Sequence, residues 1–370
     1  MAISGAASAS ATERFRGRAP SSHPSHFRRL QDLWASSLGL GTYLGDADDA
    51  TDARYAEAIR AALRGSCNVL DTAINYRCQR SERTIGRTLE ALCAEGTLTR
   101  DEVILCTKGG YLPFDGAVPD DPGRDAVETV INPGLASHEE IVAGCHCLAP
   151  AYLDHALRTS LANLRVDAID VYYLHNPEQQ LDEVSPEVFL QRMDAAFTLL
   201  ESRAREGAIR SYGVATWNGL RCPSAARGHL SLETLVRLAE RVGGSGHHFR
   251  VIQLPYNLAM PEAFTFANQT VEGEAMTALQ AAARLDLSVV TSAGLMQRRL
   301  TRLPASFESY LPGLATAPQR ALQFARSTPG VTTALVGMQR AAHVEENLAL
   351  ARQPLLAEEQ IRLLFDRTKK

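Results

Sequence analysis

The 370-residue chain is 45% hydrophobic and 22% charged, the make-up of a globular protein able to bury a large core. Its 38 basic against 42 acidic side chains leave a net charge of -4, which offers no global attraction to nucleic acid or an anionic membrane and points to a small-molecule partner. No run approaches the roughly 20 apolar residues of a membrane-spanning helix, and seven cysteines without a regular framework read as reduced thiols in the cytoplasm.

Residues 1–30 are rich in Ala, Ser and Arg, carry one acid, Glu13, and hold too few apolar side chains to pack a core. They predict a flexible, disordered N-terminal tail ahead of a single domain over 31–370, with an organellar transit peptide as the alternative. From residue 38 onward, short β-branched runs alternate with stretches of helical period. Strands are expected at 38–42, 69–71, 103–108, 169–175, 211–215, 251–254, 288–292 and 333–336. Helices are expected at 54–64, 82–93, 152–164, 188–206, 232–242, 274–285, 318–327 and 343–351. Eight alternations in about 310 residues fit a closed (β/α)8 TIM barrel better than an open doubly wound sheet. Two features break the rhythm: a segment over 109–148 rich in Gly, Pro and Asp, and a final helix at 357–367. Long insertions after barrel strands shape the mouth of the active site.

Active sites of this barrel lie at the C-terminal ends of its strands, where four polar residues stand out. Asp71 ends the second expected strand, Tyr76 follows it in DTAINY, Lys108 ends the third in CTK, and His175 ends the fourth in YYLHNP. Hydride delivery to a carbonyl leaves charge on oxygen, so a proton donor must stand close. Tyrosine suits that role if a neighbouring ammonium makes it more acidic. Lys108 supplies the ammonium, Asp71 holds it by pairing, and His175 donates a hydrogen bond to the carbonyl oxygen. Cys145, His146 and Cys147, with His138 nearby, carry zinc-ligand chemistry, but the spacing lacks a second ligand pair, so they read as a loop without metal. Tyr43, Phe114, Trp217 and Tyr256 fall in or beside strand-end loops and are expected to wall a partly apolar substrate pocket.

Between Leu38 and about Leu350 the chain resembles the aldo-keto reductase family. LGLGTY at 38–43 is similar to the family's first strand, DTAINY followed by SERTIG at 81–86 to its Asp and Tyr motif, and REGAIRSYGVATW at 205–217 to its fifth-strand signature. Lys108 and His175 fall where the family places its lysine and histidine.

The resemblance implies a catalytic tetrad of Asp71, Tyr76, Lys108 and His175 and a nicotinamide cofactor bound without a Gly-rich Rossmann fingerprint, which this chain lacks. It places Gly41, Thr42 and Asp71 against the cofactor, Thr216 and Gln253 on the carboxamide, Thr291 and Ser292 beside the nicotinamide ring, and Glu346 with Asn347 at the adenine. Thr291 stands where many members stack an aromatic ring. Gly337 and His343 stand where the family often has a lysine and an arginine, which leaves Arg340 as the fixed charge for a 2′-phosphate. NADP is therefore expected, with NAD as the alternative. The function implied is hydride transfer between NADP(H) and an aldehyde, ketone or sugar carbonyl, or the matching alcohol. A non-catalytic accessory subunit similar to the beta subunit of a channel is the alternative.

Overall fold

A computed structural model describes residues 2–365. Eight parallel strands close into a barrel in which each pairs with the next and the eighth with the first. They are β1 (Leu38–Gly41), β2 (Val69–Asp71), β3 (Ile104–Gly109), β4 (Ile169–His175), β5 (Ile209–Ala215), β6 (Phe249–Pro255), β7 (Ser288–Ser292) and β8 (Thr333–Gly337). Around them lie α1 (Asp49–Arg64), α2 (Arg80–Ala94), α3 (Pro150–Leu164), α4 (Pro186–Arg205), α5 (Leu232–Gly243), α6 (Ala278–Arg284), α7 (Ala317–Ser327) and α8 (Ala341–Leu348).

Strand periodicity of two decides what faces the barrel axis. Val69, Ile104, Cys106, Val171, Tyr173, Val251, Val290 and Leu335 fill the interior. Asp71, Lys108 and His175 continue the same inward rows toward the C-terminal mouth, so their polar heads emerge where the apolar filling ends. Gly213 in β5 faces the tightest approach, since a Cβ there would lie 1.7 Å from the Val251 carbonyl oxygen.

Helix α6 begins later than its apolar period suggests. Glu272 and Gly273 both adopt positive φ, 52° and 84°, and turn a short hairpin between Gln269–Val271 and Glu274–Met276. That turn takes the first residues of the expected helix into strand pairing. Thr277 then caps α6 with its hydroxyl on the Gln280 N–H. The C-terminal helix spans Glu358–Leu363, and positions 366 and 367 of the expected helix lie outside the described residues.

The larger difference lies at the N-terminus. Residues expected to form a flexible tail instead pack across the bottom of the barrel. Ala7, Leu30, Leu33 and Ala35 join the interior cluster, and a helix, Ala9–Gly17, buries Ala11 and Phe15. The entry chain is tied down by polar contacts: Ile3 N–H to the Arg165 carbonyl at 2.7 Å, Gly5 N–H to Asp167 at 2.7 Å and Ala7 N–H to Asp170 at 2.6 Å. The segment cannot form a core of its own, but it needs only to cap one that the open end of the barrel already exposes. Small side chains suffice for that.

Behind this cap, His26 is fully buried. Its Nε2 meets the Ser66 carbonyl at 2.8 Å and its Nδ1 the Ser37 hydroxyl at 2.9 Å. Burial, helped by Arg326 and Arg28, brings its pKa down to about 4.

Deletion of residues 2–30 is expected to lower the melting temperature by more than a few degrees, since it uncovers Val69, Ile104 and the rest of the inner row. A thermal melt tests this, and an unchanged midpoint would show that the segment does not dock. A second expectation follows from His26. Its neutral form belongs to the folded state, so stability is unaffected above the ordinary histidine pKa of about 6.5 and falls as pH drops from there toward 4. The loss reaches roughly 3 kcal/mol. Urea unfolding at pH 7.5 and 4.5 measures it, and His26→Gln should make the decline shallower; an equally steep decline in the variant would remove His26 as a cause.

Candidate active site

A cleft of about 440 Å³ opens at the C-terminal ends of the strands. At its floor, Lys108 Nζ donates to Asp71 Oδ1 at 2.5 Å and to the Thr72 carbonyl at 2.7 Å, while Gln253 Nε2 donates to Asp71 Oδ2 at 2.8 Å. Tyr76 stands over the pair, with the ammonium 5.0 Å from its ring centre. His175 meets Tyr76 edge-on at 5.8 Å between ring centres, and Tyr43 meets it from the other side at 5.0 Å. Asp71, Tyr76 and His175 thus line one cleft, and Lys108, bonded to Asp71, lies buried directly behind them.

Local backbone geometry delivers Tyr76. Arg77, Cys78 and Gln79 all adopt positive φ, between 51° and 67°, a run of left-handed residues that turns the chain into α2. Such a run is costly for non-glycine residues and persists only where its surroundings hold it. The buried Arg77 guanidinium does so. Its Nε donates to the Asp46 carbonyl at 2.8 Å and its Nη2 to Asp52 Oδ1 at 2.5 Å.

Burial dominates the titration of the site. It pulls the Lys108 ammonium toward neutrality, but Asp71 and Tyr76 outweigh it and hold Lys108 charged with a raised pKa. Burial raises the Asp71 carboxyl against the opposing pull of Lys108 and Gln253. Tyr76 is also raised by burial. Lys108 acts on it in the acidifying direction expected from the sequence, but in the open cleft desolvation is the larger effect. Burial, followed by the nearby charge of Lys108, holds His175 well below its ordinary value. The wall therefore presents a neutral phenol and a neutral imidazole, both able to donate, above one buried ion pair.

Gly41, Thr42, Tyr43, Thr216, Trp217, Gln253, Ser292 and Gly337 also line the cleft. Tyr43 and Trp217 stand at its mouth, 55% and 40% exposed. The Thr216 hydroxyl donates to Glu178 Oε1 at 2.5 Å, so it faces the β4 loop as well as the cleft. Other expected residues lie elsewhere. Thr291 is fully buried and absent from the cleft lining, because the inward positions of β7 are Val290 and Ser292 and the pleat turns Thr291 toward the helices. Tyr256 is buried against Phe324, stacked at 5.2 Å with its hydroxyl on Thr328, and serves the core instead of the pocket. Phe114 is half-buried outside the cleft lining. Arg340 occupies the N-cap position of α8 without a side-chain bond to the helix and is exposed, as is His343; Glu346 accepts from the Thr316 hydroxyl at 2.6 Å, and Asn347 is buried. None of these four lines the cleft.

The structure also brings in residues that sequence reasoning missed. Tyr111, directly after the glycine pair that ends β3, presents its ring edge to His175 at 5.0 Å. Asn75, Asn176, Gln297 and Arg298 line the cleft as well. An aromatic two residues beyond a strand-end glycine was the available signal for Tyr111. Cys145, His146, Cys147 and His138 do not gather as ligands: both ring nitrogens of His146 are in hydrogen bonds, and Cys147 Sγ accepts from the Ala149 N–H.

Comparisons with known proteins bear on the fold and the family of the chain. Uncharacterized oxidoreductase YqkF of Bacillus subtilis (strain 168) is 22% identical over 348 residues, spanning 91% of this chain and 94% of that protein. A 6-dehydroglucose reductase of Novosphingobium aromaticivorans is 28% identical over 202 residues, 52% of either chain. The glycerol dehydrogenase of Gluconobacter oxydans shares the fold at a TM-score of 0.64 and 19% identity, covering 93% of this chain and 95% of that one. An aldo/keto reductase of Klebsiella pneumoniae solved in complex with NADP and acetate gives 0.62 at 20% identity, with coverage of 92% and 94%. The model of the aldo/keto reductase family matches residues 37–230, more than half of the chain, and the chain belongs to that family.

Proposed function

We propose that this protein is an NADP(H)-dependent oxidoreductase that reduces the carbonyl of an aldehyde, ketone or sugar and oxidises the matching alcohol in reverse. The observation that carries this reading is the cluster of Asp71, Tyr76 and His175 lining the cleft with the Lys108 ammonium buried directly behind Asp71 and Tyr76. A subunit that only sensed a cofactor would need no such proton donor beside a neutral imidazole.

The residues present suit a dinucleotide. Gly41 and Gly337 bring strand ends without side chains to the cleft, Thr42, Gln253 and Ser292 supply polar groups of both hydrogen-bonding senses, and Arg298 stands exposed on its rim. When bound, the nicotinamide supplies or receives the hydride. His175 donates to the carbonyl oxygen and polarises it, which a neutral imidazole does without itself becoming a charge to be desolvated. Tyr76 releases its proton to that oxygen as negative charge develops there, and Lys108, held by Asp71, stabilises the phenolate that forms. Tyr43, Tyr111 and Trp217 wall the mouth and limit water. The kinship to a reductase of 6-dehydroglucose and the likeness to a glycerol dehydrogenase favour hydroxylated substrates.

Tyr76→Phe is expected to lower kcat for carbonyl reduction by roughly 10²- to 10⁴-fold while the cofactor dissociation constant changes little. Absorbance loss of NADPH with a panel of aldehydes and sugars measures it, and retention of more than half the wild-type rate would overturn the role.

Arg340, exposed at the start of α8, is the proposed clamp of the 2′-phosphate. Arg340→Ala should weaken NADPH roughly 10- to 150-fold and leave NADH nearly unchanged, since a charge-assisted hydrogen bond contributes about 1.5 to 3 kcal/mol. Fluorescence titration of both cofactors tests it: equal losses, or none, would exclude Arg340 from the phosphate.

A further inference from the structure

Of the segment over 109–148, one side chain is buried against the site from behind. His146 sits on a short strand, His146–Cys147, that pairs antiparallel with Ile141–Val142. It is fully buried, and its Nε2 lies 2.7 Å from the carbonyl oxygen of His175.

The hydrogen-bond polarity of this contact can be worked out from its far end. Arg192 on α4 can only donate, and its guanidinium reaches Gln180 Oε1 as well as the Glu139 carbonyl at 2.7 Å. The Gln180 oxygen must therefore accept, so its Nε2, 2.8 Å from His146 Nδ1, must donate. His146 Nδ1 then accepts, the proton of the neutral ring resides on Nε2, and Nε2–H points at the His175 carbonyl. Every group has one admissible role. A protonated ring would set its Nδ1–H against the Gln180 amide, and burial with Arg192 nearby accordingly holds the His146 pKa down at about 4.

The receiving carbonyl belongs to a constrained peptide. Asn176 adopts φ of 47°, left-handed for a non-glycine residue. Its N–H donates to the Ala215 carbonyl at 2.6 Å, and its amide donates to the Tyr111 hydroxyl at 3.0 Å. Tyr111 lies edge-on to both His146 and His175, with 5.0 Å between ring centres in each case. The turn that ends β4 is thus held by β5 on one side and by the inserted segment on the other.

We propose that His146 is a positioning residue for His175: the relay from Arg192 through Gln180 forces its Nε2–H onto the His175 carbonyl and thereby fixes the turned peptide that aims the His175 ring into the cleft. This rests on the reading of His175 as the group that orients the substrate carbonyl. The inserted segment then supports the chemistry as well as shaping the mouth.

The decisive variant is Gln180→Glu, nearly identical in shape but with an acceptor where the relay needs a donor. The ionisable groups facing His146 are Arg192 on α4, His175 on β4 and Tyr111 on its own segment. With a carboxylate opposite Nδ1, His146 must carry a proton there. It does so either by becoming an imidazolium, which still donates to His175, or by moving its single proton away from Nε2 and leaving two lone pairs face to face. Long-range ¹H–¹⁵N spectra of the histidine rings should therefore show His146 titrating near or above 6.5 in Gln180→Glu, instead of staying neutral with its proton on Nε2 down to pH 5 as in the wild type. Carbonyl reduction by the variant should fall at least tenfold between pH 6 and pH 8.5, relative to wild type at each pH. His146→Leu should lower kcat about 10- to 100-fold with the NADPH dissociation constant unchanged, and His146→Gln, which keeps an N–H near the Nε2 position, should recover most of the loss. An unmoved His146 spectrum in Gln180→Glu, or a His146→Leu enzyme with wild-type kcat, would overturn the proposal. If no carbonyl is turned over by the wild type, the functional reading fails, while the spectra still decide the relay.

Discussion

The structure is organised around one ion pair that has been taken almost entirely out of water. The side chains of Lys108 and Asp71 are 1% and 5% exposed, and their contact is 2.5 Å. Burying two charges costs more than their attraction returns unless every remaining donor and acceptor is served, so such a pair is poor evidence for stability and better evidence for use. Here the extra partners are present: the Thr72 carbonyl takes a second ammonium proton and Gln253 serves the second carboxylate oxygen. One partner, Thr72, follows directly on β2, and the other, Gln253, reaches Asp71 from β6 on the far side of the barrel, so closure of the barrel completes the set.

Keeping that floor dry requires a sealed interior, which connects the active end of the molecule to its opposite end. The column beneath the ion pair includes Cys106, Tyr173, Val69, Ile104 and Val171, and it ends on Ala7, Leu30, Leu33 and Ala35 of the N-terminal segment. Buried His26, kept neutral, fastens that cap. At the other end, desolvation sorts the titratable groups into two sets. Lys108 keeps its charge because Asp71 and Tyr76 outweigh its burial, Tyr76 stays neutral because burial outweighs the pull of Lys108, and His175 stays neutral because burial and the charge of Lys108 both oppose its protonation. Neutral donors above a fixed cation are what a carbonyl oxygen gaining charge calls for.

The barrel and the emergence of Asp71, Lys108 and His175 at one end of it were legible in the sequence because both depend on local periodicity. Alternation along β3 determines that Lys108 faces the same way as Cys106, and the strand ends mark where polar residues emerge. What was not legible depended on partners far away in the chain. Residues 1–30 looked unable to fold because their apolar content was weighed as a core, whereas Ala7 and Phe15 only complete one. Tyr256 and Thr291 sit one pleat or one loop from the cleft, and composition cannot tell a wall residue from a core residue at that spacing. The hairpin at Glu272 and Gly273 was hidden by the apolar period of the following helix. The role of His146 was unreadable because it requires Gln180 and Arg192, 34 and 46 positions further along the chain.

The placement of Tyr111 links two properties that barrel enzymes usually keep apart. In this architecture, loops after the strands vary to select substrates while strand-end residues carry out the chemistry. Tyr111 belongs to a loop and lines the cleft, yet its ring edge lies against His175, its hydroxyl holds Asn176 and reaches Gln179 at 2.6 Å, and its own carbonyl is held by the Tyr152 hydroxyl at 2.6 Å. A bulkier or smaller side chain at 111 would change the shape offered to a substrate and, in the same step, the packing that aims the imidazole. Tyr43 and Trp217 are more exposed, but Tyr43 also packs edge-on against Tyr76 at 5.0 Å, so of the two it is Trp217 whose ring, among the described residues, makes no ring contact with the Asp71, Tyr76, Lys108 and His175 cluster.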